Sequence, residues 1–275
     1  MDIQAYEHLE VRVEEAVVFA AFNRPKVRNA LNLKMVEELE NLLEALEAEE
    51  GVRCLVLKGN GGHFCAGGDV KDMATARSQP FKEDVLLTDP IARLNRRFGD
   101  VITKLRQAPQ TVVVVVQGAA MGGGFGLVCA ADFVLADKSA SFRLPETTLG
   151  LPPAQIAPFL VERIGLIAAK KCALTGARLS GDDALSMGLV DQLCEDQKDL
   201  DEALSALLIS ILKCAPLASR NTKKLLLAIA DGVQERSDIL DSGALMFAEA
   251  TRSHEGMEGI MAYIQKRAPS WSKNN

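Results

Sequence analysis

Residues 9–22 alternate apolar and polar side chains at Leu9, Val11 and Val13, break at Glu14 and Glu15, and resume from Val17 to Phe22. This pattern predicts a β-hairpin, ended by the NRP tripeptide at 23–25. From Asn32, a side chain suited to capping a helix N-terminus, apolar residues recur at Leu33, Val36, Leu39, Leu43 and Leu46 with glutamates between them. The spacing predicts an amphipathic helix stopped by Gly51, and a strand follows over 53–59. After a glycine-rich turn, a polar segment running to about residue 90, with Pro80 and Pro90, predicts a mobile loop or irregular helix. A helix over 92–107 leads into Val112–Val116, and five successive valines suit a strand buried on both faces, the kind a parallel sheet supplies.

A second glycine-rich stretch, AAMGGGFGLVCAADF at 119–133, gives way to a short strand over 132–137. The prolines of 141–159 then forbid a continuous helix until the end of that segment. Beyond about residue 155 the pattern is helical almost throughout, apart from a strand-like VDQL. The expected organisation is a mixed α/β body over residues 1–198 and a helical region over 199–275, with no low-complexity segment between them.

Composition narrows the function classes. At 275 residues, 48% hydrophobic and 25% charged, the chain is long enough for a full core. A net charge of −6 excludes a global basic field for nucleic acid or anionic membranes, so an anionic ligand needs a local cationic cluster. The six cysteines, Cys54, Cys65, Cys129, Cys172, Cys194 and Cys214, form no CxxC pair and no zinc-type spacing with histidine, so no metal is expected. Free thiols and the lack of an apolar leader or an 18-residue apolar run fit a reducing cytoplasm without a membrane anchor.

The two glycine-rich stretches carry the chemistry. RCLVLKGNGGHFCAGGD and TVVVVVQGAAMGGGFG are each an apolar strand, a glycine turn and the start of a helix. A phosphate cradle is the first thought, but GxGxxG fails at Leu127 and the lysine and hydroxyl of a P-loop are missing. Two readings remain: the glycines permit tight backbone packing, or the paired turns aim two backbone amides at a carbonyl oxygen that gains charge during reaction.

HFCAGGDVKDM, QGAAMGGGFGLVCAADFVLAD, FRLPETTLGLPP, LTGARLSGDDALSMGLVDQL and YIQKRAPSW, in that order along the chain, resemble the motifs of the crotonase (enoyl-CoA hydratase/isomerase) superfamily. The resemblance implies an α/β fold, a spiral of repeated ββα units followed by a C-terminal helical region that serves oligomerisation and caps the coenzyme. It implies that the amides of Gly68 and Gly123 hold the thioester carbonyl of an acyl-CoA, and that Glu146 is the acid/base residue. Asp69 reads as a turn or cap residue. A carboxyl group in so apolar a turn is expected to be harder to ionise, which suits proton transfer at the substrate α-carbon.

Coenzyme A enters as part of the substrate and no separate cofactor is implied. Lys26, Arg28, Ala66 and Lys71 match coenzyme-binding positions of the family, and Lys266 and Arg267 match residues that reach the phosphates, often from a neighbouring subunit. Such enzymes assemble as trimers, often paired into hexamers. Two departures bear on the reaction. Hydratases of the family usually carry a second glutamate where this chain has Gly126, and a glycine whose amide helps hold water where it has Ala154; both positions are expected to meet the substrate. A lone glutamate is also the pattern of delta-3,delta-2-enoyl-CoA isomerases. HFCAGGDVKDM, LNRRFG, GGGFGL, FRLPETTLGLPPAQIAPF and the ending QKRAPSW are most similar to the isohexenylglutaconyl-CoA hydratases of acyclic terpene catabolism, which implies hydration of a branched glutaconyl-CoA.

Overall fold

A computed structural model of the chain describes residues 5–78, 89–233 and 235–272. Strands β1 (Leu9–Glu14) and β2 (Val17–Phe22) form the expected hairpin, with Glu15 left-handed at its turn. Helix α1 (Leu33–Glu47) follows, and the Asn32 side chain accepts from the Met35 amide at 3.0 Å, satisfying a donor that the first helical turn leaves free. Next come β3 (Cys54–Gly59), α2 (Val70–Arg77), α3 (Pro90–Gln107) and β4 (Thr111–Val116). The segment read as a loop or irregular helix is helical at α2; residues 79–88 of it lie outside the described residues.

Beyond β4 the chain moves between two sheets. Strand β5 (Ala119–Met121), helix α4 (Gly123–Cys129), β6 (Phe133–Asp137), β7 (Ser141–Arg143), α5 (Ala157–Thr175), β8 (Arg178–Ser180), α6 (Gly181–Ser186) and β9 (Gln192–Cys194) complete the spiral. One sheet has the order β1-β2-β3-β4-β6-β9, parallel from β2 onward, and the other has β5-β7-β8. From β4 onward successive turns of the spiral place one strand in each sheet, and because β3 and β4 are adjacent and parallel the two glycine turns leave them at the same end.

The valine run shows why β4 is central. Val112, Val114 and Val116 point into the main core with α1, α3, α4 and α5, while Val113 and Val115 point to the other face. That second face is covered by α7 (Gln197–Lys213), through Leu200, Leu204, Leu207, Leu208 and Ile211. Helices α8 (Pro216–Asp231), α9 (Arg236–Arg252) and α10 (His254–Ile264) complete the C-terminal region. From α8, Lys223 Nζ reaches Asp132 Oδ2 at 2.6 Å and the Gln110 carbonyl at 3.0 Å, while Asp132 Oδ2 also accepts from the Val112 amide at 2.7 Å. Among the described residues no single helix is long and apolar enough to cross a membrane.

Candidate active site

The first glycine turn is held between two lines of backbone hydrogen bonds. On one side the Ala66 amide donates to the Arg28 carbonyl (2.9 Å), the Leu31 amide to Gly67 (2.7 Å) and the Asp69 amide to Leu31 (2.8 Å). On the other, the Cys65 amide donates to Ala119 (2.8 Å) and the Met121 amide to Cys65 (2.9 Å), so the first turn is stitched to the second. His63 Nδ1 accepts from the Ala119 amide at 3.1 Å and adds to this seam, a structural role. In the second turn the Gly122 amide is taken by the Arg143 carbonyl at 2.9 Å. Among the described residues the amides of Gly68 and Gly123 donate to no protein group, and both glycines line one cleft of about 750 Å³.

Glu146 enters that cleft from a short 3-10 turn, Glu146–Leu149, that starts directly after Pro145. Its Oε1 lies where a side chain on Gly122 would project: a Cβ there would stand 2.9 Å from it. Its Oε2 is buried without a hydrogen-bond partner. Burial raises the carboxyl above the ordinary glutamate value, opposed in part by its own backbone amide.

Helix α3 supplies one wall of the cleft, through residues that include Asn95 and Phe98. Phe98 and Leu31 stand over Gly123, where a Cβ would meet Leu31 Cδ1 at 2.9 Å and Phe98 Cζ at 3.0 Å. Asn95, Phe98, Gly99 and Ile102 share one helix face at the spacing that makes residues neighbours. The one legible signal for this wall is the LNRRFG segment, which carries the group resemblance without revealing what it touches.

The acidic lining is neutralised or occupied. Asp69 Oδ2 pairs with Arg24 at 3.1 Å and Oδ1 accepts from the Lys71 amide at 3.1 Å, so it caps α2 and anchors the 24–30 loop. Burial works against its ionised form, but the Lys71 amide and the Arg24 guanidinium overcome it and hold the carboxyl below its usual value. Asp72 accepts from the Leu33 amide at 2.6 Å, and Asp89 caps α3 through the Ile91 amide at 2.7 Å. Asn29, buried and left-handed, staples the same loop to the first turn through the carbonyls of Asn60 (2.9 Å) and His63 (2.7 Å).

Several expected positions fall elsewhere. Gly126 does not line the cleft: it is buried, and a Cβ on it would stand 3.0 Å from both Ile102 Cδ1 and Ile156 Cγ1. Ile156, which does line the cleft, is one of the two side chains packed against it. Ala154 lines the cleft, but its amide donates to the Pro152 carbonyl at 2.8 Å and is not free to hold water. Lys26, Arg28 and Lys71 are exposed on the loop and helix flanking the first turn, outside the cleft itself, and Ala66 keeps its carbonyl while its amide is bonded to Arg28. Lys266 and Arg267 do not line the cleft of their own chain; Arg267 is bound to Glu258 at 2.7 Å, and Trp271 near them reaches the Lys213 carbonyl at the end of α7.

A family model for enoyl-CoA hydratase/isomerase matches residues 12–274. The chain belongs to the enoyl-CoA hydratase/isomerase family. This hydratase/isomerase is 35% identical over 260 residues to a putative enoyl-CoA hydratase of Thermus thermophilus, covering 94% of this chain and 99% of that relative. Among solved structures it is similar to an enoyl-CoA hydratase/isomerase from Marinobacter aquaeolei, with a TM-score of 0.93, 44% identity, and 97% and 99% of the two chains covered. It is also similar to Pseudomonas aeruginosa AtuE, with a TM-score of 0.92, 46% identity, and 97% and 100% covered. Its α/β spiral with several C-terminal helices is thus the crotonase fold.

Proposed function

We propose that this hydratase/isomerase adds water across the 2,3 double bond of a branched glutaconyl-type enoyl-CoA, of the isohexenylglutaconyl-CoA kind met in terpene catabolism. The observation that carries the chemical part is the pairing of two amides, Gly68 and Gly123, that have no partner among the described residues, with one carboxyl, Glu146, whose Oε2 is buried and unpartnered in the same cleft. The amides stabilise the thioester oxygen as it becomes an enolate oxygen, and loss of one such donor typically costs about 2.7–4 kcal/mol. Protonated Glu146 gives its proton to the α-carbon. Its other oxygen takes a proton from the water whose oxygen bonds to the β-carbon, so the carboxyl group ends the cycle as it began it. The LNRRFG and GGGFGL segments support the branched substrate, and the packing around Gly126 is in keeping with a site built for one carboxyl group.

The test is incubation of the purified protein with isohexenylglutaconyl-CoA, 3-methylglutaconyl-CoA, crotonyl-CoA and a 3-enoyl-CoA in heavy-oxygen water. Hydration adds the label, whereas isomerisation moves the double bond without it. Isomerisation is the second reading, favoured by two observations: Gly126 is packed against Ile156, and the Ala154 amide is bonded to Pro152. A non-catalytic acyl-CoA-binding protein would have no use for the buried Glu146 carboxyl.

For the coenzyme we assign Lys26, Arg28 and Lys71, together with the Ala66 carbonyl, from the same chain, and Lys266 and Arg267 from a neighbouring copy. A trimer, or a pair of trimers, is the assembly proposed. The exposed Leu240, Leu245 and Phe247 of α9 and Tyr263 and Ile264 of α10 support it. Five buried unpaired thiols and the exposed Cys214 suit a reducing cytoplasm.

A further inference from the structure

Addition of water needs a group that holds the water at the β-carbon, and both family solutions are closed here by Ile156 and by the Ala154–Pro152 hydrogen bond. A replacement must come from the polar side chains of the cleft wall. Asn32 is engaged at both ends, by the Met35 amide and by His8 Nε2. Asp69, Asp72 and Asp89 are all engaged by backbone amides, and Asp69 by Arg24 as well. Asn95 is exposed. Gln155 differs from these: it lines the cleft, is half-buried, and its carboxamide makes no hydrogen bond among the described residues. In sequence it stands directly after Ala154 and directly before Ile156, the residue packed against Gly126.

Helix α3 makes room for this side chain. A Cβ on Gly99 would stand 2.1 Å from Gln155 Oε1 and 2.8 Å from its Cδ, so the carboxamide occupies the notch that this glycine leaves. A half-buried amide with no protein partner takes its hydrogen bonds from water or from a ligand.

We infer that Gln155 is the positioning residue for the attacking water. The inference rests on the hydratase reading above. Gln155 Oε1 accepts one proton of the water in a hydrogen bond and the second proton passes to Glu146. The water oxygen donates its electron pair to the β-carbon, and the displaced double-bond pair protonates at the α-carbon from Glu146. Gln155 exchanges no proton, so proton transfer at the α-carbon proceeds without it.

The experiment uses Gln155→Leu, which removes the carboxamide, and Gly99→Ala, which displaces its flexible end while leaving the residue in place. Hydration is read as label uptake from heavy-oxygen water with 3-methylglutaconyl-CoA and crotonyl-CoA. Deuterium exchange at the α-carbon of a saturated acyl-CoA reads Glu146 and the two amides alone. Expected is a drop of at least about tenfold in hydration in both variants. Exchange is expected to stay within about twofold of wild type, and Gln155→Glu to retain hydration. Hydration unchanged in both variants, or exchange falling in step with hydration, overturns the assignment. A wild-type protein that moves the double bond without label uptake overturns the hydratase reading, and the water site with it.

Discussion

Gly122 and Glu146 share one space: the carboxyl Oε1 lies 2.9 Å from the point where a Cβ on Gly122 would stand. Gly122 also has φ 48° and ψ −116°, a conformation closed to side chains, while its amide is fixed by Arg143. Gly122→Ala is expected to strain the turn by about 1–3 kcal/mol and to push the carboxyl off its position. Turnover with the best enoyl-CoA should fall about 100-fold, with a lowered melting temperature.

Glu146→Gln is expected to lower hydration, or isomerisation, by about 100- to 10,000-fold. The same substitution should stabilise the fold at neutral pH. Because burial raises the folded-state value of Glu146, its contribution to stability is whole below the unfolded-state value and is lost as pH rises through the folded one. Glutamine has no such loss. Melting temperatures of the two proteins should coincide in acid and separate as pH rises, the variant above; a gap that closes with rising pH would contradict the sign.

Gly126→Glu, which places the family's second carboxyl, is expected to destabilise. Its Cβ meets Ile102 and Ile156 at 3.0 Å, and the carboxylate would enter an apolar pocket. The overpacking alone is typically worth about 1–3 kcal/mol, and an unpaired buried charge adds to it. Adding Ile156→Ala should recover part of the melting temperature and raise hydration of crotonyl-CoA over the single variant. Unchanged or improved activity of Gly126→Glu alone on the branched dicarboxylic substrate would show that packing does not keep the position small.

Lys223→Met is expected to cost about 3–5 kcal/mol in denaturant unfolding, because Asp132 would be left charged and half-covered beside the Val112 amide. Burial lowers the Lys223 value, and Asp132 opposes that by favouring the ammonium. Pairing it with Asp132→Asn should cost less than the sum of the single variants, which a double-mutant cycle measures.

Most elements were legible because their signals are local. The alternation at 9–22, the Asn32 cap with its apolar repeat, and the valine run each specify an element through near neighbours, and β1, β2, α1 and β4 form there. Gly68, Gly123 and Glu146 stood out through spaced motifs, and the spiral brings them to one cleft. The roles of Arg24, Asn29, Phe98 and Gln155 were not legible, since each acts on a partner distant in the chain, and a motif that contains such a residue does not say what its side chain touches.

By itself the sequence determined the strand and helix pattern, the two glycine turns and the lone glutamate, because backbone freedom and hydrophobic periodicity are properties of short segments. Only the tertiary structure decided that Gly126 is sealed by Ile156 and Ile102, that the Ala154 amide is already bonded, and that Lys266 and Arg267 lie away from their own chain's cleft. Those outcomes depend on which side chain fills a given volume and which carbonyl an amide meets. Both are set by packing between segments that the linear order does not bring together.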